Sequence, residues 1–158
     1  MKKRISITLL SMIAIFLLTA CANVQSDIIP SDSELSVSEN IIKLTVSIND
    51  YHFSGVLYDN AYSKAFSKML PITLEMSDLN GNEKYYYLDD ALPTASENPK
   101  QIKSGDIMLY GDNCLVLFYK SFSSSYSYTK LGYIEDISNL EKAVGGGNVT
   151  VKINLLCR

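Results

Sequence analysis

Along most of the chain, hydrophobic and polar residues alternate with a period of two. Ile42, Leu44, Val46 and Ile48 are separated by Lys43, Thr45 and Ser47. This predicts a half-buried strand, because successive strand side chains point to opposite faces. Asn49-Asp50 reads as a turn into a second strand with Phe53 and Leu57 on one face. The period then changes: Asn60 can cap a helix in which Ala61, Ala65, Phe66, Met69 and Leu70 recur at spacings of three and four, and Pro71 ends it. Ile72, Leu74 and Met76 restore the alternation, Asn80-Gly81 is the strongest hairpin signal in the chain, and Glu83 to Leu88 runs back.

A long polar connection from Asp89 to Ser104, with Pro93, Asn98 and Pro99, leads into two nearly continuous apolar runs, Ile107–Tyr110 and Leu115–Tyr119. Bounded by Gly105-Asp106 and Gly111-Asp112-Asn113, they predict central strands covered on both faces. The serine-tyrosine segment 121–127 reads as a flexible loop, and Leu131 to Ile134 as a short strand. Leu140 to Val144 predicts a short helix stopped by Gly145-Gly146-Gly147, and Val149, Val151, Ile153 and Leu155 a last strand. The fold class expected is therefore mainly β: a closed eight-stranded antiparallel barrel with two short helices at its ends, since closure removes exposed strand edges.

The N-terminus breaks this pattern. Lys2, Lys3 and Arg4 precede the uncharged run Ile5 to Leu18, and Leu18-Thr19-Ala20-Cys21 follows. A helix of those 14 residues would be only about 21 Å long, against a hydrocarbon core of roughly 30 Å. The segment reads as an export signal, and the cysteine after small residues makes it a lipoprotein signal, residues 1–20, cut before a lipidated Cys21. The expected location is extracytoplasmic, held to the cell membrane by lipid, or to the outer membrane where there is one, since Ala22 rather than aspartate follows the cysteine. Residues 21–40, rich in serine, aspartate and glutamate, cannot bury enough to order themselves. They form a tether with a reach of roughly 25 Å, and the domain proper runs from 41 to 158.

Charge narrows the partners. Cleavage removes three of the 14 basic residues and none of the 17 acidic ones, leaving a net charge of about −6. Nucleic acid is thereby disfavoured as a partner, because phosphate neutralisation needs a basic surface. An electrostatic hold on anionic lipid is disfavoured too, so the membrane is reached through the lipid anchor alone.

Several phrases stand in an order that resembles the bacterial cyclophilin-like domain family: "LYDN" (Leu57–Asn60), "MSDLNGNEKYYYL" (Met76–Leu88), "SGDIMLYG" (Ser104–Gly111) and "CLVLFYKSFSSSYSYTKLGYI" (Cys114–Ile134). The resemblance covers about residues 41 to 156 and implies an eight-stranded antiparallel barrel closed by two helices, here on a lipoprotein. It implies little about activity, since fold does not determine function. Classical cyclophilins isomerise X-Pro bonds with an arginine set among phenylalanine, glutamine and histidine. Here the two arginines are Arg4, in the signal, and Arg158, the last residue, so none stands at the catalytic place.

Other chemistry lacks its parts. His52 is the only histidine and reads as a solvated strand residue, so neither a two-histidine metal site nor a helical zinc-protease pair can be built. No serine sits in a glycine-flanked elbow. Asp78, Asn80 and Asn82 have calcium-loop spacing, but Glu83 stands where that loop requires glycine. The adjacent Asp89 and Asp90 would point to opposite sides of an extended backbone. A Cys114–Cys157 disulfide is permitted outside the membrane, although Cys114 reads more simply as a small buried hydrophobe. No catalytic residue, metal or cofactor is expected.

Tyrosine is the unusual feature: eleven residues, all between Tyr51 and Tyr133, and no tryptophan. Tyr85, Tyr86 and Tyr87 should divide between the inside and the outside of the barrel, while Tyr110, Tyr119, Phe122, Tyr126 and Tyr128 lie along or beside the central strands. Tyrosine combines apolar area with a hydroxyl and suits wet binding clefts. These five aromatics form a candidate ligand site or, alternatively, the core and rim of a small barrel. Two classes of function stay open: a non-catalytic binding module for a peptide, glycan or protein partner, and a peptidyl-prolyl isomerase or other enzyme with a non-standard site.

Overall fold

A computed structural model describes residues 41–156. The expected signal 1–20, the expected lipidation site Cys21, the expected tether 21–40 and Cys157 lie outside the described residues.

Strands β1 (Ile42–Ile48), β2 (Tyr51–Leu57), β3 (Ile72–Leu79), β4 (Glu83–Tyr87), β6 (Asp106–Tyr110), β7 (Cys114–Phe118), β9 (Thr129–Ile134) and β10 (Val149–Leu155) close an antiparallel barrel. Their order around it is β1-β10-β3-β4-β7-β6-β9-β2. The alternating residues Leu44, Val46 and Ile48 of β1 point inward, against Leu74 and Met76 of β3, Ile107 and Leu109 of β6, and Leu115 and Leu117 of β7. Gly132 lets β9 approach β2: a Cβ there would lie 2.0 Å from the Val56 carbonyl oxygen, so only glycine fits.

Helix α1 (Ala61–Ser67) forms where its cap was expected, with the Asn60 side chain accepting from the Ser63 N–H. It buries Phe66 in the barrel core, and Ser63 donates to the Leu131 carbonyl. Helix α2 (Leu140–Val144) ends at Gly145, whose φ of 54° is left-handed, and contributes Leu140, Ala143 and Val144 to the same core. The Asn49 side chain, in the β1–β2 turn, donates to the Ala143 carbonyl and holds α2 at that end of the barrel. By the antiparallel order, α1, between the end of β2 and the start of β3, closes the other end.

Two expectations are corrected in detail. Segment 121–127 is not simply a loop: β8 (Phe122–Ser123) pairs with β5 (Gln101–Ile102), which lies in the long polar connection. This ribbon covers the outer faces of β6 and β7, so Met108, Cys114, Val116 and Phe118 form a second core with Ile102 and Tyr128, Phe122 packing against it. The near-continuous apolar runs have their cause here, with one face in the barrel and the other under the ribbon. The second correction concerns the β3–β4 hairpin. Asn80 and Gly81 both take left-handed φ values, 56° and 66°, as the turn requires. Asn82 is nevertheless an extra residue between turn and strand, so Leu79 pairs with Glu83 and Asp78 with Lys84.

Candidate functional site

The extra residue sets which side chains of β4 face outward. Because a one-residue slip exchanges the two faces of a strand, Lys84 and Tyr86 turn toward the barrel interior, and Glu83, Tyr85 and Tyr87 turn outward beside Phe118, Val116 and Cys114 of β7. Tyr85 and Tyr87 meet edge to face, with ring centroids 5.8 Å apart. Across β7, Tyr110 at the end of β6 contacts Tyr126 at 6.1 Å and 89° and Tyr128 at 5.7 Å. Together with Phe122, these rings surround an open cleft of about 440 Å³ on the outer face of the barrel, and Leu79, Asn80 and Asn82 form its rim.

The aromatic residues singled out from sequence therefore separate. Tyr110, Phe122, Tyr126 and Tyr128 line the cleft. Tyr110 (46% exposed) and Tyr126 offer their rings to solvent, whereas Tyr128 is 6% exposed and packs edge to face on Phe118 at 5.4 Å. Tyr119 is not part of the cleft. It follows the outward Phe118, so the strand's alternation turns it into the barrel core, where its hydroxyl donates to Asp78 Oδ1 at 2.7 Å. The cleft gains Tyr85 and Tyr87, which the sequence marked only as members of a tyrosine run. It also gains two polar residues, Asn82 and Glu83, which the sequence raised only in the calcium-loop spacing that Glu83 breaks.

Glu83 is 8% exposed, and burial raises its carboxyl above the usual carboxylate range, with the charge of Asp78 adding to the effect. No lysine, arginine or histidine stands among the described residues that line the cleft. Burial lifts the Tyr128 hydroxyl, and the Glu83 charge adds to it. The Cys114 thiol, free among the described residues, is likewise raised by burial, opposed by its contact with Tyr87. The buried side-chain oxygen Oδ1 of Asn82 accepts no hydrogen bond among the described residues. Its backbone carbonyl is occupied, accepting from the N–H groups of Tyr119 and Lys120.

Behind the cleft, on the interior face of β4, lies a polar cluster that rigidifies the hairpin. Lys84 Nζ donates to Asp78 Oδ1 at 2.8 Å and to the carbonyls of Gly145 and Gly147 at 3.1 and 2.6 Å. All three donors of the ammonium are used, which is what allows a lysine with a fully buried side chain. Asp78 Oδ2 also accepts from the Gly81 N–H, fixing the turn. The Lys84 and Tyr119 hydrogen bonds hold the Asp78 carboxyl below its ordinary range. The cluster is saturated by its own members, so it offers no free group for chemistry.

His52 is exposed on β2, its Nδ1 2.9 Å from Ser47 Oγ. Asp89 and Asp90 are both exposed. Among the described residues there is no arginine, no group of three or more His, Cys, Asp or Glu side chains that could hold a metal ion, and no helix long and apolar enough to cross a membrane.

The solution structure of a hypothetical protein from Archaeoglobus fulgidus has the same fold, with a TM-score of 0.52 at 14% sequence identity over 77% of this chain and 100% of that one. No curated protein matches the sequence. The profile of the Cyclophilin-like family matches residues 46–154, nearly all of the barrel, and the chain belongs to that family.

Proposed function

We propose that this chain is an extracytoplasmic lipoprotein, anchored through Cys21, whose cyclophilin-like barrel is a non-catalytic binding module with the aromatic cleft as its ligand site. One observation carries the reading: six aromatic side chains from β4, β6 and the segment after β7 converge on one open cleft, and the Cys114 thiol beside them is raised by burial, away from the reactive thiolate form. A cleft of about 440 Å³ falls within the ordinary range for small-molecule or peptide-segment sites. Half-exposed tyrosines supply contact area at low entropic cost, and their hydroxyls can orient a polar ligand. The lipid would hold the domain at the membrane surface while leaving the cleft free.

The test uses the full chain, purified in a non-ionic detergent, titrated with a panel of short peptides and oligosaccharides and followed by thermal shift. A specific binder raises the melting temperature in proportion to the logarithm of its concentration. Tyr110→Ala should lower the affinity of that binder about thirtyfold, the effect of removing an anchor worth about 2 kcal/mol. Undiminished binding by Tyr110→Ala would move the site elsewhere. Proline-isomerase turnover clearly above background would overturn the non-catalytic reading.

A further inference from the structure

The cleft has an unbalanced polar lining. Glu83 is an acceptor when ionised and is nine-tenths buried, yet among the described residues no cation lines the cleft beside it, and Lys84 next to it in sequence points to the other face and is committed to Asp78. Asn82 Oδ1, at the same end of β4, is the buried side-chain acceptor without a donor among the described residues. Leaving a buried carboxylate without countercharge and an amide oxygen without a donor is unfavourable, more so for the charged group. Such residues fit a site whose missing partner arrives with the ligand.

The rings specify that partner further. The perpendicular pairs Tyr85–Tyr87 and Tyr110–Tyr126 turn aromatic faces in different directions around one volume. The negative face of an aromatic ring attracts a cation, and several faces around one space make a cage for it. An anion would meet ring faces and a carboxylate with no cation to receive it. A quaternary ammonium would satisfy the rings but donate nothing to the two acceptors.

We infer that the cleft takes a ligand bearing a primary alkylammonium group, with the charge among the tyrosine rings and the N–H donors directed to the Glu83 carboxylate and Asn82 Oδ1. The inference rests on the proposed reading of the cleft as a binding site and specifies its ligand. The ammonium can belong to a lysine side chain in a peptide or to a free polyamine. Burial has raised the Glu83 carboxyl, and an incoming cation would lower it again by supplying the missing charge.

The experiment is calorimetric titration of the full chain in non-ionic detergent with 1,5-diaminopentane, with blocked lysine amide and with blocked norleucine amide, the neutral counterpart. Both amines should bind at least tenfold more tightly than the norleucine amide. The tighter of the two identifies a polyamine or a peptide lysine as the source. Glu83→Gln should cut amine affinity tenfold or more without lowering the melting temperature, and the exposed Tyr87→Leu should weaken it as well if Glu83→Gln proves unstable. Amine binding unchanged in Glu83→Gln, or norleucine amide binding as tightly as lysine amide, overturns the inference. Tyr110-dependent binding of a neutral ligand in either case would keep the cleft as a site, whereas no Tyr110-dependent binding of any probe or panel member removes both readings.

Discussion

Asp78 and Lys84 face each other across the β3–β4 hairpin, on the interior side, with Oδ1 and Nζ 2.8 Å apart. The lysine side chain is fully buried and the aspartate one-quarter exposed, so the two ends of the pair depend on each other unequally. Removing the carboxylate strands a buried ammonium, while removing the ammonium leaves a carboxylate that water and the Tyr119 hydroxyl can still serve.

Asp78→Asn should therefore destabilise the domain by about 3 kcal/mol or more, the usual cost of breaking a buried pair from one side. Lys84→Met, of similar volume, should cost less, because it removes the buried charge itself. Urea denaturation of the two variants and the parent gives the comparison, and Lys84→Met proving the more damaging would show that the three donated bonds outweigh desolvation.

Glu83 predicts a pH dependence of opposite sign to that of Asp78. Its folded-state pKa is raised, so the native state holds the proton more tightly. The stability this supplies is fully present below the ordinary glutamate value and is lost as pH rises through the raised value. Asp78, with a lowered value, supplies stability above its ordinary value that is lost as pH falls through the lowered one. The other titratable groups that couple to Glu83, the Tyr128 and Tyr119 hydroxyls and the Cys114 thiol, are raised and stay neutral in this window. Subtracting the melting curves of Glu83→Gln from those of the parent isolates Glu83. The parent's relative stability should decline with rising pH from the ordinary glutamate range upward, and a difference independent of pH would show that Glu83 is well solvated.

The aromatic residues should separate into two behaviours. Tyr128→Ala, which opens a hole against Phe118, should cost about 3 kcal/mol or more of stability. Tyr119→Phe should cost about 1.5 kcal/mol, by removing a hydrogen bond to a charged acceptor. Tyr110→Ala should cost less than about 1 kcal/mol, since half the residue is already in solvent. Equal losses for Tyr110→Ala and Tyr128→Ala in thermal melts would return Tyr110 to the packed core.

Cys21→Ser should abolish lipidation and shift the protein out of the membrane fraction. Metabolic labelling with radioactive palmitate followed by fractionation reads both effects, and label retained by the mutant would defeat the lipoprotein reading.

Much of the architecture was written locally. The alternation of Ile42 to Ile48, the Asn60 cap, the stop at Gly145 and the unbroken apolar runs of β6 and β7 each state a local requirement. Period, capping and two-sided burial are short-range properties, and the phrases from Leu57 to Ile134 carried the family resemblance. The inward position of Tyr119 was also available, since it continues the alternation of Leu115 and Leu117, but a count of clustered aromatics concealed it. Three things only the closed barrel decided. The two-residue strands β5 and β8 are too short and polar to carry a periodic signal, and they exist because the outer faces of Met108, Val116 and Phe118 need a cover. Lys84 is buried because the carbonyls of Gly145 and Gly147, distant in sequence, meet Asp78 of the same hairpin at one point. The cleft itself depends on Asn82: Glu83-Lys84-Tyr85-Tyr86-Tyr87 shows no apolar alternation that would choose an inner face. The register was therefore left to the pairing of Leu79 with Glu83, and that one-residue shift put Glu83, Tyr85 and Tyr87 outside.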